Sequence, residues 1–374
     1  VRDLVEIGMG REARRAYDLD QIEIVPSRRT RSSKAVSTAW QLDAYRFDIP
    51  LLTHPTDAVV SPDSAVRISE LGGLGVLNAE GLWARHADPK GALERIVAAA
   101  TGDEPDSAVA LLQELHQAPI QQDLITEALR PLRDSSHTVA ARVSPQRARE
   151  LTPALLAAGV EILVVQGTIV SAEHVSDGEP LNLKDFIADL DVPVVAGGVG
   201  DYRTALHLMR TGAAGVIVGY GQATSTTTDE VLGVGVPMAT AIVDAAAARR
   251  DYLDETGGRY VHVIADGGIG TSGDIARAVA CGADAVMLGE QLAEAAESPA
   301  GGLYWTSSAA HPSLPRSEVT GLARSGRSLE QVLFGPTDSP YGTTNLFGAL
   351  RRAMAKTGYS DLKEFQRVGL NLRT

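Results

Sequence analysis

The 374-residue chain has one cysteine, Cys281, which excludes an internal disulfide and a cysteine-rich zinc site. Phe, Trp and Tyr together make up only 5% of the residues, so the core that 44% hydrophobic content implies must be aliphatic. Basic residues are outnumbered: 34 Lys and Arg against 47 Asp and Glu leave a net charge of -13. That balance argues against nonspecific nucleic-acid binding and leaves backbone amides or local basic patches as the means of holding an anion. No apolar run reaches membrane-spanning length and no apolar N-terminal stretch reads as a signal peptide. The simplest expectation is a soluble cytoplasmic protein with no membrane or nucleic-acid partner. Metal-ligand spacings such as HExxH are missing around His54, His207, His262 and His311, so no metal is expected. Walker and dinucleotide GxGxxG patterns are missing too.

What is present is a rhythm of short apolar strands followed by helical patterns. Strands are expected at 49–53, 74–78, 138–143, 161–165, 192–196, 215–218, 262–265 and 285–288. Helices are expected near 61–71, over about 80–132, near 145–157 and near 201–210, with another starting near Pro237. The late strands are continuously apolar, as in a parallel sheet covered on both faces. Eight such units read as an α/β fold of the (β/α)8 TIM-barrel class, with a doubly wound open sheet as the rival.

An internal repeat favours the barrel. Residues 191–219 align without gaps to 261–289, and seven of the 29 positions are identical, among them Gly197/Gly267, Gly198/Gly268, Gly212/Gly282 and Gly219/Gly289. Two strand–loop–helix–strand quarters of one barrel have this form. Thr271 with Asp274 three residues on makes a capping box for the second copy's helix. Outside the barrel, residues 1–48 read as a polar N-terminal arm over one barrel mouth, and 49–374 as the single barrel domain. That domain carries a long loop at 219–237 and an extension from about 300, which ends in a helical pattern at "LFGALRRAMAKTGYSDLKEFQ".

Barrel chemistry sits at the C-terminal ends of the strands. In "ADGGIGTSGD" (265–274), glycines followed by a helix start suit a phosphate, and they equally suit a tight turn. Asp266 at the strand end can accept from a sugar diol or support that turn. In "GYGQATSTTTDEVLGVGVP" (219–237), Gly219 and Gly221 can bring backbone to a ligand while Thr224, Ser225 and Thr226 offer hydroxyls. A hydroxyl with no adjacent base is a poor nucleophile, which favours a ligand-lining loop over covalent catalysis, with a spacer as the alternative. Cys281, late in a helix, reads as a buried small hydrophobe. His54 beside a strand end is the one histidine to watch, and Arg28, Arg29 and Arg31 can reach an anion, a neighbouring subunit or solvent.

These segments resemble the IMP dehydrogenase/GMP reductase family along nearly the whole chain. "YDLDQIEIVPSRR", "IPLLTHPTDAV…ISELGGLGVLN", "VPVVAGGV", "GAAGVIVGYG", "VLGVGVPMATAI", "VIADGGIGTSGDIARAVACGADAVMLG" and "LFGALRRAM" follow in family order. The resemblance implies a barrel, commonly a homotetramer, that binds a purine nucleotide monophosphate over its mouth with NAD beside it. By motif, Asp266 would hold the ribose hydroxyls. Gly267, Gly268, Gly289 and Thr224 would surround the phosphate, and Thr53 and Thr56 would border the base. The family's nucleophilic cysteine falls on Thr226, the arginine after its two threonines on Asp229, the serine after the last-strand glycine on Glu290, and the cofactor-side aspartate on Gln166. The "YRGMGS" segment, the Arg-Tyr flap and the regulatory CBS pair have no counterpart. The chain therefore looks like the short, cysteine-free branch, a protein of guanine nucleotide metabolism whose cysteine-dependent oxidation is weak or lost. A cysteine-free NAD-dependent IMP dehydrogenase and a noncatalytic regulatory or scaffold subunit are the alternatives.

Overall fold

The structure is a computed structural model that describes residues 4–102, 105, 107–174, 180–220, 228–235, 237–311, 318–322 and 325–373. Its centre is a parallel eight-stranded sheet: Leu51–Thr53, Val76–Asn78, Ala140–Val143, Ile162–Gln166, Val194–Val199, Gly215–Val218, His262–Asp266 and Ala285–Leu288, called here the first to eighth strands. Each strand pairs with the next in sequence from the second to the eighth, and the eighth pairs with the first. A parallel bridge between Leu52 and Leu74 joins the remaining edges. This is the expected (β/α)8 barrel, and ring closure excludes the open-sheet rival. All eight expected strands are present.

Their sequences explain the closure. The first six strands and the eighth are buried at every position. Residues such as "ILVVQ" and "GVIV" thus face helices outside and packed side chains inside. The repeat at 191–219 and 261–289 becomes two successive strand–helix–strand quarters, with helices Tyr202–Met209 and Ser272–Cys281. Thr271 and Asp274 form the expected capping box.

Differences from expectation lie in the helices. The region over 80–132 is a short 3-10 turn at Leu82–Ala84 and three helices, Pro89–Thr101, Ser107–Leu115 and Gln122–Asp134. Asp88 caps Gly91 N ahead of Pro89, and Gly102 ends that helix, so local caps override the apparent continuity. Pro237 is the N-cap of Met238–Thr256 rather than its first turn. The C-terminal helical pattern splits into Leu346–Thr357 and Leu362–Phe365 around Gly358, whose φ of 89° breaks the helix.

The ends of the chain close the other end of the barrel. Ile22–Val25 pairs antiparallel with Gly369–Leu372. The hairpin of Trp40–Leu42 and Tyr45–Phe47 places Trp40 edge-on to His262, at the start of the seventh strand. Beneath it lies a buried ionic knot. Asp284 accepts from Arg249 at 2.6 Å, Tyr260 at 2.7 Å and Val263 N at 2.8 Å, and is also met by Lys363 and Gln366 of the C-terminal segment. Burial alone would raise the Asp284 carboxyl, but Arg249 and Lys363 outweigh it and hold it well below the usual range. His262, at the edge of this knot, is pushed down to about 4, chiefly by burial and against the pull of Asp284. Among the described residues no helix is long and apolar enough to cross a membrane, and no group of three or more His, Cys, Asp or Glu is placed to hold a metal.

His262 sets an acid-sensitivity window. Between its ordinary value of about 6.5 and its folded value of about 4, the unfolded chain binds a proton that the folded one does not. Stability should therefore fall as pH drops through that window, by about 3 kcal/mol at most. Thermal unfolding from pH 7 to 4.5 should show the decline in the wild type and a flatter profile in His262→Gln. Equal slopes would contradict the assignment.

Candidate functional site

The mouth of the barrel is built where the strands end. After the seventh strand the chain turns at Gly267 and Gly268, whose φ values of 117° and 66° suit glycine, before Thr271 caps the next helix. The turn after the sixth strand presses against this one backbone to backbone. A Cβ on Gly219, itself at φ 135°, would lie 1.8 Å from the Asp266 carbonyl oxygen. Gly289 is as tightly enclosed, because a Cβ there would lie 2.6 Å from the Tyr304 hydroxyl and 3.0 Å from His54 Cβ.

The Asp266 side chain is the focus of the mouth. Gln166 Nε2 donates to its Oδ2 at 2.8 Å across 100 residues of sequence and also meets Met287 Sδ at 3.4 Å. His54 Nδ1 stands 3.5 Å from the same oxygen. Tyr304, brought in by the C-terminal extension, lies wholly buried beside His54, with ring centroids 6.5 Å apart. Burial first, then the charges of Asp266 and Glu290, push its phenol well above the usual range. It is therefore neutral and able to donate.

Beside Asp266 opens a cavity of about 350 Å³. The turns Asp266–Gly270 and Gly289–Gln291 form much of its wall, with Glu294 and Tyr304. Of the expected ligand residues, Asp266, Gly267, Gly268, Gly289 and Glu290 share this cavity. Glu290 opens a four-residue helix there, and Glu294 faces Arg327 at 3.8 Å. Thr53 and Thr56 lie nearby with committed hydroxyls. Thr53 accepts from Val76 N at 2.8 Å, and Thr56 donates to the Trp305 carbonyl at 2.5 Å. Gly221, Thr224 and Thr226 lie outside the described residues.

A second cavity, of about 490 Å³, adjoins the ends of the second, third and fourth strands. Its walls include Arg85, Arg142, Arg147, His116, Ser144 and Thr168. Arg142 is buried, donates to the Gln166 carbonyl at 2.7 Å and to Asn78 at 3.4 Å, and has Glu80 at 3.8 Å. Burial lowers its guanidinium pKa, with Glu80 and Asp57 opposing. Its Nε has no partner. Behind it, Asp57 is held by Leu82 N at 2.9 Å and faces His116 at 3.3 Å. Gln166 links a residue of each cavity, its carbonyl accepting from Arg142 and its amide donating to Asp266.

Sequence reasoning missed Tyr304 and the Asp57–His116 pair, since nothing in the primary structure brings either to the mouth. His54 was visible only as a residue beside a strand end. The single thiol is elsewhere. Cys281 is buried at the C-terminal end of helix Ser272–Cys281, which runs away from the mouth, and burial pushes it up to about 12.

Known proteins share this fold. The family profile described as the IMP dehydrogenase / GMP reductase domain matches residues 16–311. A crystal structure of an IMP dehydrogenase/GMP reductase-like protein from Corynebacterium glutamicum superposes with a TM-score of 0.95 at 56% identity, covering 99% of this chain and 98% of that one. A protein described as an uncharacterized oxidoreductase from Mycolicibacterium smegmatis is 65% identical over 373 residues, 99% of this chain and all of its own. An inosine-5'-monophosphate dehydrogenase from Haemophilus influenzae is 42% identical over 151 residues, 40% of this chain and 29% of that protein. The chain belongs to the IMP dehydrogenase/GMP reductase family.

Proposed function

We propose that the barrel mouth binds a purine nucleotide, in the family's manner a monophosphate, and that the cysteine-dependent oxidation of IMP is lost. One observation carries the reading. Asp266 stands at the lip of a cavity walled by the glycine turns after the seventh and eighth strands, where backbone can approach a ligand closely. A carboxylate there is suited to ribose hydroxyls, and the turn amides to an anionic end. By motif, the family's nucleophile falls on Thr226, and the chain's one cysteine is buried at the far end of a helix with a raised pKa. No thiolate is therefore supplied to the mouth.

A nicotinamide cofactor fits the second cavity on the chemistry of its lining. Arg142 has a buried, unpartnered Nε, Arg85 and Arg147 add positive charge, and Ser144 and Thr168 add hydroxyls. Arg85, Arg142, Ser144 and Thr168 would hold it, and when bound the group would supply a hydride acceptor or donor. Gln166 would lie between the two ligands.

Thermal unfolding with IMP, GMP and XMP tests the first claim. Ligand at about a hundredfold over its dissociation constant should stabilise the protein by about 2.7 kcal/mol. Asp266→Asn should lose most of that shift, and a wild type that responds to none of the three would overturn the reading. Absorbance of reduced nicotinamide tests the second. IMP with NAD should give no signal above a no-enzyme control, whereas turnover would establish a cysteine-free dehydrogenase instead.

A further inference from the structure

Helix Met238–Thr256, which follows the sixth strand, has no side-chain cap of its own. The residue before it is Pro237, whose side chain offers no acceptor to the first turn. Two first-turn N–H groups are taken instead by the N-terminal arm, with Asp18 reaching Met238 across 220 residues of sequence. Asp18 Oδ1 accepts from Met238 N at 3.0 Å, and the Tyr17 carbonyl accepts from Thr240 N at 3.1 Å. Tyr17 N donates in return to Thr240 Oγ1 at 2.8 Å. Asp18 is itself held, because Gln21 Oε1 accepts from its N–H at 2.9 Å.

The same arm grips the next helix. The turn Leu19–Gln21 and the strand Ile22–Val25 pack on Ser272–Cys281, and Arg277 Nε donates to the Ile22 carbonyl at 2.7 Å. Residues 17–22 thus bridge the two helices that follow the sixth and seventh strands. The glycine turns after those strands both meet the wholly buried Met238 side chain. A Cβ on Gly268 would lie 3.1 Å from Met238 Cγ, and one on Gly219 would lie 3.5 Å from its Sδ. Gly268 is part of the wall of the first cavity. A methionine side chain is unbranched and adaptable, so it holds its neighbours in place only when its own backbone is fixed. Asp18 supplies that fixing.

We propose that Asp18 is a positioning residue of the mouth, which through Met238 holds the Gly219 and Gly268 turns in the arrangement that receives the ligand. It touches no ligand. Its chemistry is that of a side-chain acceptor at a helix start, so Asn would serve in its place and Ala would not. A cap that favours the ligand-ready turns is by reciprocity favoured by the ligand.

The role rests on the mouth being the purine site, and the test separates the two. Dissociation constants for IMP, GMP and XMP are measured by calorimetry on the full-length protein. Asp18→Ala should bind about tenfold more weakly, as when about a tenth of the molecules hold the turns in place. Asp18→Asn should stay within about twofold of wild type. Arg14→Gln loosens the arm's tie to the same helix at Asp244, where Arg14 Nη2 donates to Oδ1 at 3.0 Å, and should leave affinity unchanged. Equal affinity in Asp18→Ala and wild type, a loss that Asp18→Asn shares, or the same loss in Arg14→Gln overturns the role and leaves the purine reading standing. Should Asp18→Ala fail to fold, hydrogen exchange of the wild-type Met238 amide decides. A first-turn amide exchanges by local opening, which global stabilisation does not slow. Saturating ligand should slow that exchange about tenfold, by the same reciprocity, and an unchanged rate overturns the role. Wild type that binds none of the three overturns both.

Discussion

Closure of eight short parallel strands into a ring is the constraint on which everything else depends. Each strand has only three to six residues and buries both faces, so its backbone groups are satisfied only when both neighbours are in place. The weakest join lies between the first and second strands, where a single bridge from Leu52 to Leu74 completes the circle. Parallel closure also sends every C-terminal strand end to the same mouth. Asp266 can therefore meet Gln166 from 100 residues away and His54 from the opposite end of the barrel sequence. At the other end, Asp284 ties Arg249, Tyr260 and Lys363 together and fixes the C-terminal segment beneath the seventh and eighth strands.

The two ends have different chemistry for a physical reason. At the closed end, Asp284 is paired with Arg249 and Lys363, and that pairing holds structure. At the mouth, carboxylate, imidazole and amide share a single oxygen and leave other atoms unpaired, which costs stability. Glycines 267, 268 and 289 line the cavity, and Gly219 packs against the Asp266 carbonyl too closely for any side chain. On the proposed reading, loss of the family's nucleophilic thiol would remove one reaction from this mouth while the walls proposed to hold the ligand remain.

The sequence made the periodic parts legible. Apolar runs located all eight strands, and the repeat with its shared glycines identified adjacent barrel quarters. Thr271 and Asp274 announced a helix start because a capping box is local. Longer helices were harder: the breaks at Gly102 and Gly358 depend on single residues within otherwise helical patterns. The mouth was legible as a set of strand ends, and so Asp266, Gly289 and Glu290 were found. Pairings across the barrel were not, because the Gln166 amide, the Tyr304 phenol and the Asp57–His116 contact arise only from closure and from the path of the C-terminal extension.

The central claim is that this mouth, with its thiol gone, still receives a purine nucleotide at Asp266. A crystal structure of the protein soaked with IMP, GMP or XMP tests it most directly. Ribose oxygens on Asp266, with the ligand filling the cavity between the glycine turns and Glu290 turned from its phosphate, is the expected result. An empty cavity at saturating ligand, or a nucleotide bound elsewhere with Glu290 in the phosphate position, would contradict it.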